Sequence, residues 1–121
     1  ERSAGRDHPE MFAPINNLAS LLVKMGRAEE AEPMYRDLLA RVEALVGPEH
    51  YFLAIFRSNL GACLTRLGNG TDAIAELSES IRVLETTLGP EHERTLTARE
   101  RLKAARALVA DSGIRGESTN E

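Results

Sequence analysis

The chain has 121 residues, 42% of them apolar and 28% charged, which is the composition of one folded domain rather than of a disordered chain. No uninterrupted apolar run approaches the ~20 residues of a membrane span, so neither a span nor a signal peptide is predicted. The net charge of −4 argues against nucleic acid as the main partner. The single cysteine, Cys63, excludes an internal disulfide and fits a reducing compartment, so we expect a cytoplasmic protein.

A period of 42 residues organises the sequence. The segment VGPEH at 46–50 recurs as LGPEH at 88–92, and GRDH at 5–8 is a weaker copy upstream. Further identical pairs keep the same offset: Asn17 and Asn59, Leu18 and Leu60, Leu22 and Leu64, Gly26 and Gly68, Ala31 and Ala73, and Glu43 and Glu85. Glycines, an asparagine and leucines at one common spacing indicate a repeat protein.

Each period predicts two helices. In the first period, apolar residues at helical spacing predict a helix over 9–25 with one buried stripe: Ile15, Leu18, Leu21, Leu22 and Met25. Gly26 is expected to end it, and a second helix over 28–46 is ended by Gly47 and Pro48. Pro14 and Pro33 fall inside these helices, where each predicts a bend or a displaced helix start.

The second period repeats this pattern and predicts helices over 50–67 and 70–88. A third period supplies one helix over 92–110, and the aperiodic segment 112–121 is predicted to be a disordered tail. No strand-like alternation occurs, so the fold class is all-α with five helices.

Three segments of the first period, in this order, resemble tetratricopeptide repeats: NNLA at 16–19, GRAEEAEPMYR at 26–36 and GPEH at 47–50. The 42-residue length is similar to that of the kinesin-light-chain-like variety. The resemblance implies an α-solenoid of antiparallel helix pairs in a right-handed superhelix, with about two and a half repeats. It divides the chain into a linker or truncated repeat at 1–8, repeats at 9–49 and 50–91, a capping helix at 92–111 and the tail at 112–121.

The same resemblance implies a protein-interaction module without catalytic activity, cofactor or metal, whose first helices line a concave groove. The second repeat departs from the family pattern at Arg57, Gly70 and Ser80. The helix over 92–110 carries Arg99, Lys103 and Arg106 on its remaining faces, as expected of a helix that closes an array.

Three other residue patterns have structural explanations that we favour over chemical ones. The histidines His8, His50 and His92 share one position of the repeat, and helices ~10 Å apart cannot bring all three to one metal, so a role at helix starts is expected. Cys63 lies in the middle of a predicted helix, as a buried small residue would. The glycine-rich segment 68–71 lacks the lysine of a phosphate loop and is interpreted as a helix stop followed by an N-cap at Asn69 or Thr71.

One polar set forms a candidate site. Asn17 and Lys24 are seven residues apart on one helix face, Asn59 and Arg66 repeat that pair one period later, and Arg101 lies one period beyond Asn59. The resemblance places these five residues in the groove, where asparagines would hold a peptide backbone and basic side chains a carboxylate. The alternative is that Lys24 and Arg66 are exposed charges near helix ends while the asparagines bond a neighbouring helix.

Two functional hypotheses therefore stand. The first is a module that binds an acidic or C-terminal peptide segment of a protein, with no nucleic acid or membrane partner. The second is a regulatory or oligomerising solenoid segment of a larger bacterial signalling protein, such as a kinase or an ATPase, since the repeat pattern at Gly5 begins within a motif. Exposed apolar residues at Met11, Phe12 and Ile15 also predict a weak homodimer through the first helix.

Overall fold

The computed structural model describes the backbone of residues 9–120 and the side chains of residues 9–111. A 3-10 turn at Pro9–Met11 is followed by five helices: α1 (Phe12–Lys24), α2 (Ala28–Val46), α3 (Tyr51–Arg66), α4 (Gly70–Thr87) and α5 (Glu93–Asn120). No strand occurs between residues 9 and 120, which confirms the predicted all-α class. The predicted linker at 1–8 and the last residue of the predicted tail lie outside the described residues.

Glycines end the first helix of each repeat. Gly26 and Gly68, one period apart, both have a φ of 81°, in the left-handed region that side chains rarely adopt. The next residue then folds back, because the amide of Arg27 donates to the Leu22 carbonyl and that of Asn69 to the Leu64 carbonyl, both at 2.8 Å. This pattern satisfies carbonyls that the helix end would leave without partners, and it fixes the turn into the second helix.

Side-chain caps begin three of the helices. His50 Nδ1 accepts from the Phe52 amide, and His92 Nδ1 accepts from the Arg94 amide, both at 3.0 Å. The predicted role of these two histidines at helix starts is therefore confirmed, whereas His8 lies outside the described residues. Asn69 caps α4 by accepting from the Asp72 amide at 3.2 Å, so Asn69 rather than Thr71 is the N-cap.

The two prolines have different effects. Pro14 is the third residue of α1, and α1 starts at Phe12 after a 3-10 turn rather than at 9, which confirms a displaced start. Pro33 lies inside α2, which nevertheless runs from Ala28 to Val46 without interruption. Pro33 thus removes one backbone donor but does not divide the helix.

Each helix packs chiefly on its neighbours in sequence, and α3 also contacts α5. Fully buried leucines of α3 and α4 form the centre of the core with Tyr35 and Val42 of α2: Leu53, Leu60, Leu64, Leu77 and Leu84. Successive pairs joined by short connections build an α-solenoid, as predicted. No helix among the described residues is both long and apolar enough to cross a membrane.

Each of the three residues at which the second repeat departs from the family pattern makes a specific contact with a neighbouring helix. Arg57 pairs with Glu76 at 3.2 Å and with Glu43 at 3.8 Å, so its charge is compensated between two helices. Ser80 is buried, and its hydroxyl donates to the Ala54 carbonyl at 2.7 Å. Gly70 lies so close to α5 that an added Cβ would be 2.6 Å from Val109 Cγ2. A large side chain at 70 would push α4 and α5 apart.

The predicted single buried stripe of α1 is wrong for three of its members. Leu18, Leu21 and Met25 are more than half exposed, whereas Ile15 and Leu22 pack against the core. The apolar arc of α1 is wider than one buried stripe, and only the side toward α2 is covered.

The predicted exposed patch at the start of α1 also needs correction. Phe12 is only 3% exposed, and Ile15 is partly buried. Phe12 takes the register position of Ala54, where α3 contacts the second helix of its own repeat. Phe12 is therefore a core residue and cannot contribute to an assembly surface.

The end of the last helix also differs from the prediction. α5 continues to Asn120, whereas the sequence predicts its end near 110 and disorder from 112. The segment 112–120 contains no proline, so every residue can donate its amide to the helix ladder. Its two glycines weaken a helix by about 1 kcal/mol each but do not prevent it.

Candidate functional site

The first helices of the repeats, α1, α3 and α5, lie side by side and are called here the first-helix row. Among the described residues, three hydrogen bonds between two side chains cross it, and each joins residues 42 or 43 positions apart. Asn59 Nδ2 donates to Asn16 Oδ1 at 2.8 Å, which links α3 to α1. Arg101 Nη1 donates to Asn59 Oδ1 and to Ser58 Oγ, both at 2.9 Å, which links α5 to α3.

The structure brings two of the predicted site residues, Asn59 and Arg101, into direct contact. Arg66 reaches the end of α1, where its Nη1 donates to the Val23 carbonyl at 3.4 Å, next to Lys24. Asn17 is exposed and, among the described residues, forms no hydrogen bond with the other four. No member of the predicted set is fully buried, since Asn17, Lys24 and Arg66 are exposed and the other two are partly buried.

In this geometry the two predicted asparagines, Asn17 and Asn59, differ in whether their side chains are already hydrogen-bonded. Asn59 uses its amide group on Asn16 and its carbonyl on Arg101, so it bonds neighbouring helices, as the alternative hypothesis expects. Its evident effect is to hold the Arg101 guanidinium in place. Asn17 is the asparagine whose amide stays available to a ligand.

Two neighbours, Asn16 and Ser58, are members of the cluster that the 42-residue offset did not select. Each lies one residue before a predicted position, and side chains of stacked helices lean toward the helix N-terminus. Residues 43 positions apart in the sequence can therefore contact each other across stacked helices as readily as residues 42 positions apart. The consecutive polar pairs at 16–17 and 58–59 are the sequence signal that places them beside the predicted set.

A cavity of about 200 Å³ lies beside Arg101. Its polar lining comes from α3 and from the start of α5 and includes Ser58, Asn59, Arg94, Thr97 and Arg101, together with one carboxylate, Glu93. Among described residues that are not exposed, no side-chain nitrogen or oxygen is both sealed from solvent and without a partner. The Arg101 nitrogens other than Nη1 therefore reach solvent, and Arg101 is one of the residues that line this cavity.

The electrostatics of Arg101 are unlike those of an ordinary surface arginine. Burial lowers the pKa of its guanidinium, an effect that Tyr35 opposes and Arg94 strengthens. The group stays charged at neutral pH, because a guanidinium is effectively always protonated in proteins. Its hydrogen-bond acceptors in the structure are both neutral oxygens. A partly desolvated cation with spare donors and no carboxylate partner is a favourable place for an anion.

The basic side chains of the described residues divide into those with a carboxylate partner and those without one. Within the described residues, six arginines pair with carboxylates: Arg27, Arg36, Arg41, Arg57, Arg82 and Arg99. Lys24, Arg66 and Arg101 have no such pair in that part of the chain. Arg94, which lines the cavity, shares this property, as do Lys103 and Arg106 of α5.

Cys63 does not contribute chemistry to this site. Its side chain is fully buried, and Sγ donates to the Ala28 carbonyl at 3.4 Å. Burial raises the pKa of the Cys63 thiol to about 11, and Glu32 adds to the effect. Because the thiolate is the nucleophile, a thiol that stays protonated at neutral pH is inert. The prediction of a buried packing residue is confirmed.

Comparison with known proteins agrees with this architecture. Two tetratricopeptide repeat profiles match the chain, one over residues 10–69 and the other over residues 53–93. Together they cover the two complete repeats and more than two thirds of the sequence. No curated protein matches the chain. Tetratricopeptide repeats generally mediate protein–protein interaction, and the chain belongs to this family.

Proposed function

We propose that the first-helix row binds a peptide segment of a partner protein through a carboxylate, either an acidic side chain or a C-terminal group. The observation that carries the proposal is that Arg101 is partly buried beside the cavity and, like Lys24 and Arg66, has no carboxylate partner among the described residues, whereas six other arginines have one. In this proposal the Arg101 guanidinium contacts the carboxylate at the cavity. Lys24 and Arg66 attract further acidic residues near the end of α1.

The geometry supports an extended ligand rather than a small molecule. Arg66 lies seven residues after Asn59 on α3, so the two basic regions are separated by about 10 Å at 1.5 Å per residue. An extended peptide of three or four residues covers that distance at ~3.3 Å per residue. Asn17 lies on the same row and is available to bond a peptide amide. We place this binding in the cytoplasm and assign no catalytic step to it.

The first test compares matched peptides. A set of twelve-residue peptides with fixed central Asp and Glu positions is measured by fluorescence anisotropy against the same set with Asn and Gln. We expect acidic peptides to bind at least about tenfold more tightly, because one charge-assisted hydrogen bond contributes about 1.5–3 kcal/mol. Arg66→Glu should weaken binding, as should added salt, which screens exposed charges over ~8–10 Å.

Arg36→Glu is the matched control for this test. Arg36 is an exposed arginine of α2 that pairs with Glu32 at 2.9 Å and lies outside the first-helix row. The same charge reversal there should leave peptide affinity unchanged. Equal binding of the acidic and amide sets, or equal loss in both variants, would contradict the proposal.

A further inference from the structure

The cavity beside Arg101 also contains a negative charge that the proposed function does not use. Glu93, the first residue of α5, lines the cavity together with Arg94 and Arg101. Its side chain is exposed and forms no hydrogen bond or ion pair with the other described residues. The cavity thus presents to one ligand both a carboxylate without a cation partner and a guanidinium without an anion partner.

The sequence around Glu93 explains why it has no partner within its helix. Carboxylates elsewhere in the described residues pair with an arginine three or four positions away, as Glu30, Glu32, Asp37 and Glu79 do. The residues at that spacing after Glu93 are Leu96 and Thr97, and neither is a cation. Arg94 is next in sequence, and consecutive residues of a helix do not face each other. A cation for Glu93 therefore has to come from outside α5.

The fold does not require an acidic residue at this position. One period earlier the first residue of α3 is Tyr51, and neither α1 nor α3 has an acidic residue in its first turn. The start of α5 is capped by His92, whose Nδ1 accepts from the Arg94 amide. Because the equivalent helices begin without a carboxylate, the Glu93 side chain is available to a ligand.

We propose that the peptide segment bound at Arg101 carries a basic side chain that pairs with Glu93, two positions away from the residue that supplies the carboxylate. This inference rests on the proposed function, because it assigns a second feature to the same ligand. Glu93 and Arg101 are eight residues apart, about 12 Å along α5 at 1.5 Å per residue. In an extended peptide, residues two positions apart project to the same side and are about 7 Å apart. The flexible four-carbon stem of a lysine covers the remaining distance.

In this arrangement Glu93 is a specificity-determining residue. A segment that brings a second carboxylate near Glu93 meets like-charge repulsion, whereas a lysine or an arginine at that place forms an ion pair. Glu93 lies at the N-terminal end of α5, whereas Lys24 and Arg66 lie at the C-terminal ends of α1 and α3. The acidic residues that Lys24 and Arg66 attract are therefore compatible with a basic residue at Glu93.

Fluorescence anisotropy with three twelve-residue peptides, each with one central Asp, tests the proposal. The first peptide has Lys two positions before and two positions after the Asp. The second has the same composition with both lysines moved to three positions away, and the third has Gln in place of the lysines of the first. We expect the first to bind about twofold to fivefold more tightly than the others, the range of a solvent-accessible ion pair. The second controls for general attraction of a basic peptide to a chain with a net charge of −4.

Substitutions at Glu93 locate the contact. Glu93→Gln should remove the preference for the first peptide. Glu93→Lys should reverse it, so that a peptide with Glu in place of the two lysines binds more tightly than the first. Glu100→Gln is the matched control and should keep the preference, because Glu100 is an exposed carboxylate of α5 that does not line the cavity. The urea denaturation midpoint of each variant checks that it is folded.

The proposed function and this inference can fail separately. A peptide with Asn in place of the central Asp should bind at least about tenfold more weakly, and equal binding would contradict the carboxylate contact itself. Where the Asp is required, three results would overturn the inference alone. These are equal binding of the first peptide and either of the other two, a preference that persists in E93Q, and a preference that is lost in E100Q.

Discussion

Replacing Leu64 with alanine is expected to lower the free energy of unfolding by about 2–5 kcal/mol. Leu64 is fully buried in the last turn of α3 and belongs to the hydrophobic core, so removing its isobutyl group leaves a cavity there. Its backbone carbonyl, which accepts from the Asn69 amide, is retained in the variant. The loss is therefore one of packing. Domains of this size are stable by about 5–15 kcal/mol, so the variant should remain folded but become sensitive to denaturant.

Urea denaturation measures this loss as a decrease in the transition midpoint at constant slope. Leu45→Ala is the control, because Leu45 is 54% exposed on α2 and its truncation should cost less than about 0.5 kcal/mol. A loss below about 1 kcal/mol at Leu64 would mean that the repeat register is misassigned.

Replacing Arg101 with glutamine is expected to weaken binding of acidic peptides by about tenfold to a hundredfold, the equivalent of about 1.5–3 kcal/mol. Glutamine keeps donor capacity toward Asn59 and Ser58 but removes the charge that the proposed carboxylate contacts. Arg101→Lys should restore part of the affinity, since it returns the charge without the planar guanidinium.

Arg99→Gln is the control for this loss, measured with the same peptides by fluorescence anisotropy. Arg99 lies two residues earlier on α5 and pairs with Glu85, away from the cavity. Its replacement should leave affinity unchanged. If R101Q keeps its denaturation midpoint and binds acidic peptides as tightly as the unchanged chain, Arg101 does not contact the carboxylate and the proposal is contradicted.

The repeat architecture could be predicted because its signals are local and recur. The left-handed glycines at 26 and 68 and the capping histidines at 50 and 92 act within a few residues of their positions. A 42-residue offset then identifies them as equivalent. The end of α5 lacked such a signal, since no proline or cap follows residue 110.

The faces of α1 could not be predicted from its own periodicity. Leu18 and Leu22 both belong to one apolar arc, yet Leu18 is half exposed and Leu22 packs on the core. Which half of the arc is buried depends on which neighbouring helices are present. In α3, where helices lie on both sides, Leu60 and Leu64 are both fully buried.

The candidate site was predictable in outline and not in detail. Spacing placed Asn59 and Arg101 on one row, and they are in contact. The carboxylate partner of each arginine could not be predicted from the sequence, because ion pairs such as Arg57 with Glu76 join residues of different helices. For the same reason the role of Asn59 could not be predicted, since both polar groups of its side chain bond residues of neighbouring helices.

The most direct test of the proposed binding site is the nuclear magnetic resonance signal of each arginine Nε–Hε group during titration with an acidic twelve-residue peptide. We expect the Arg101 and Arg66 signals to shift, together with the side-chain amide of Asn59, while those of the ion-paired Arg36 and Arg82 stay in place. Shifts confined to Arg36 and Arg82 on the second helices, with Arg101 and Arg66 unmoved, would contradict it.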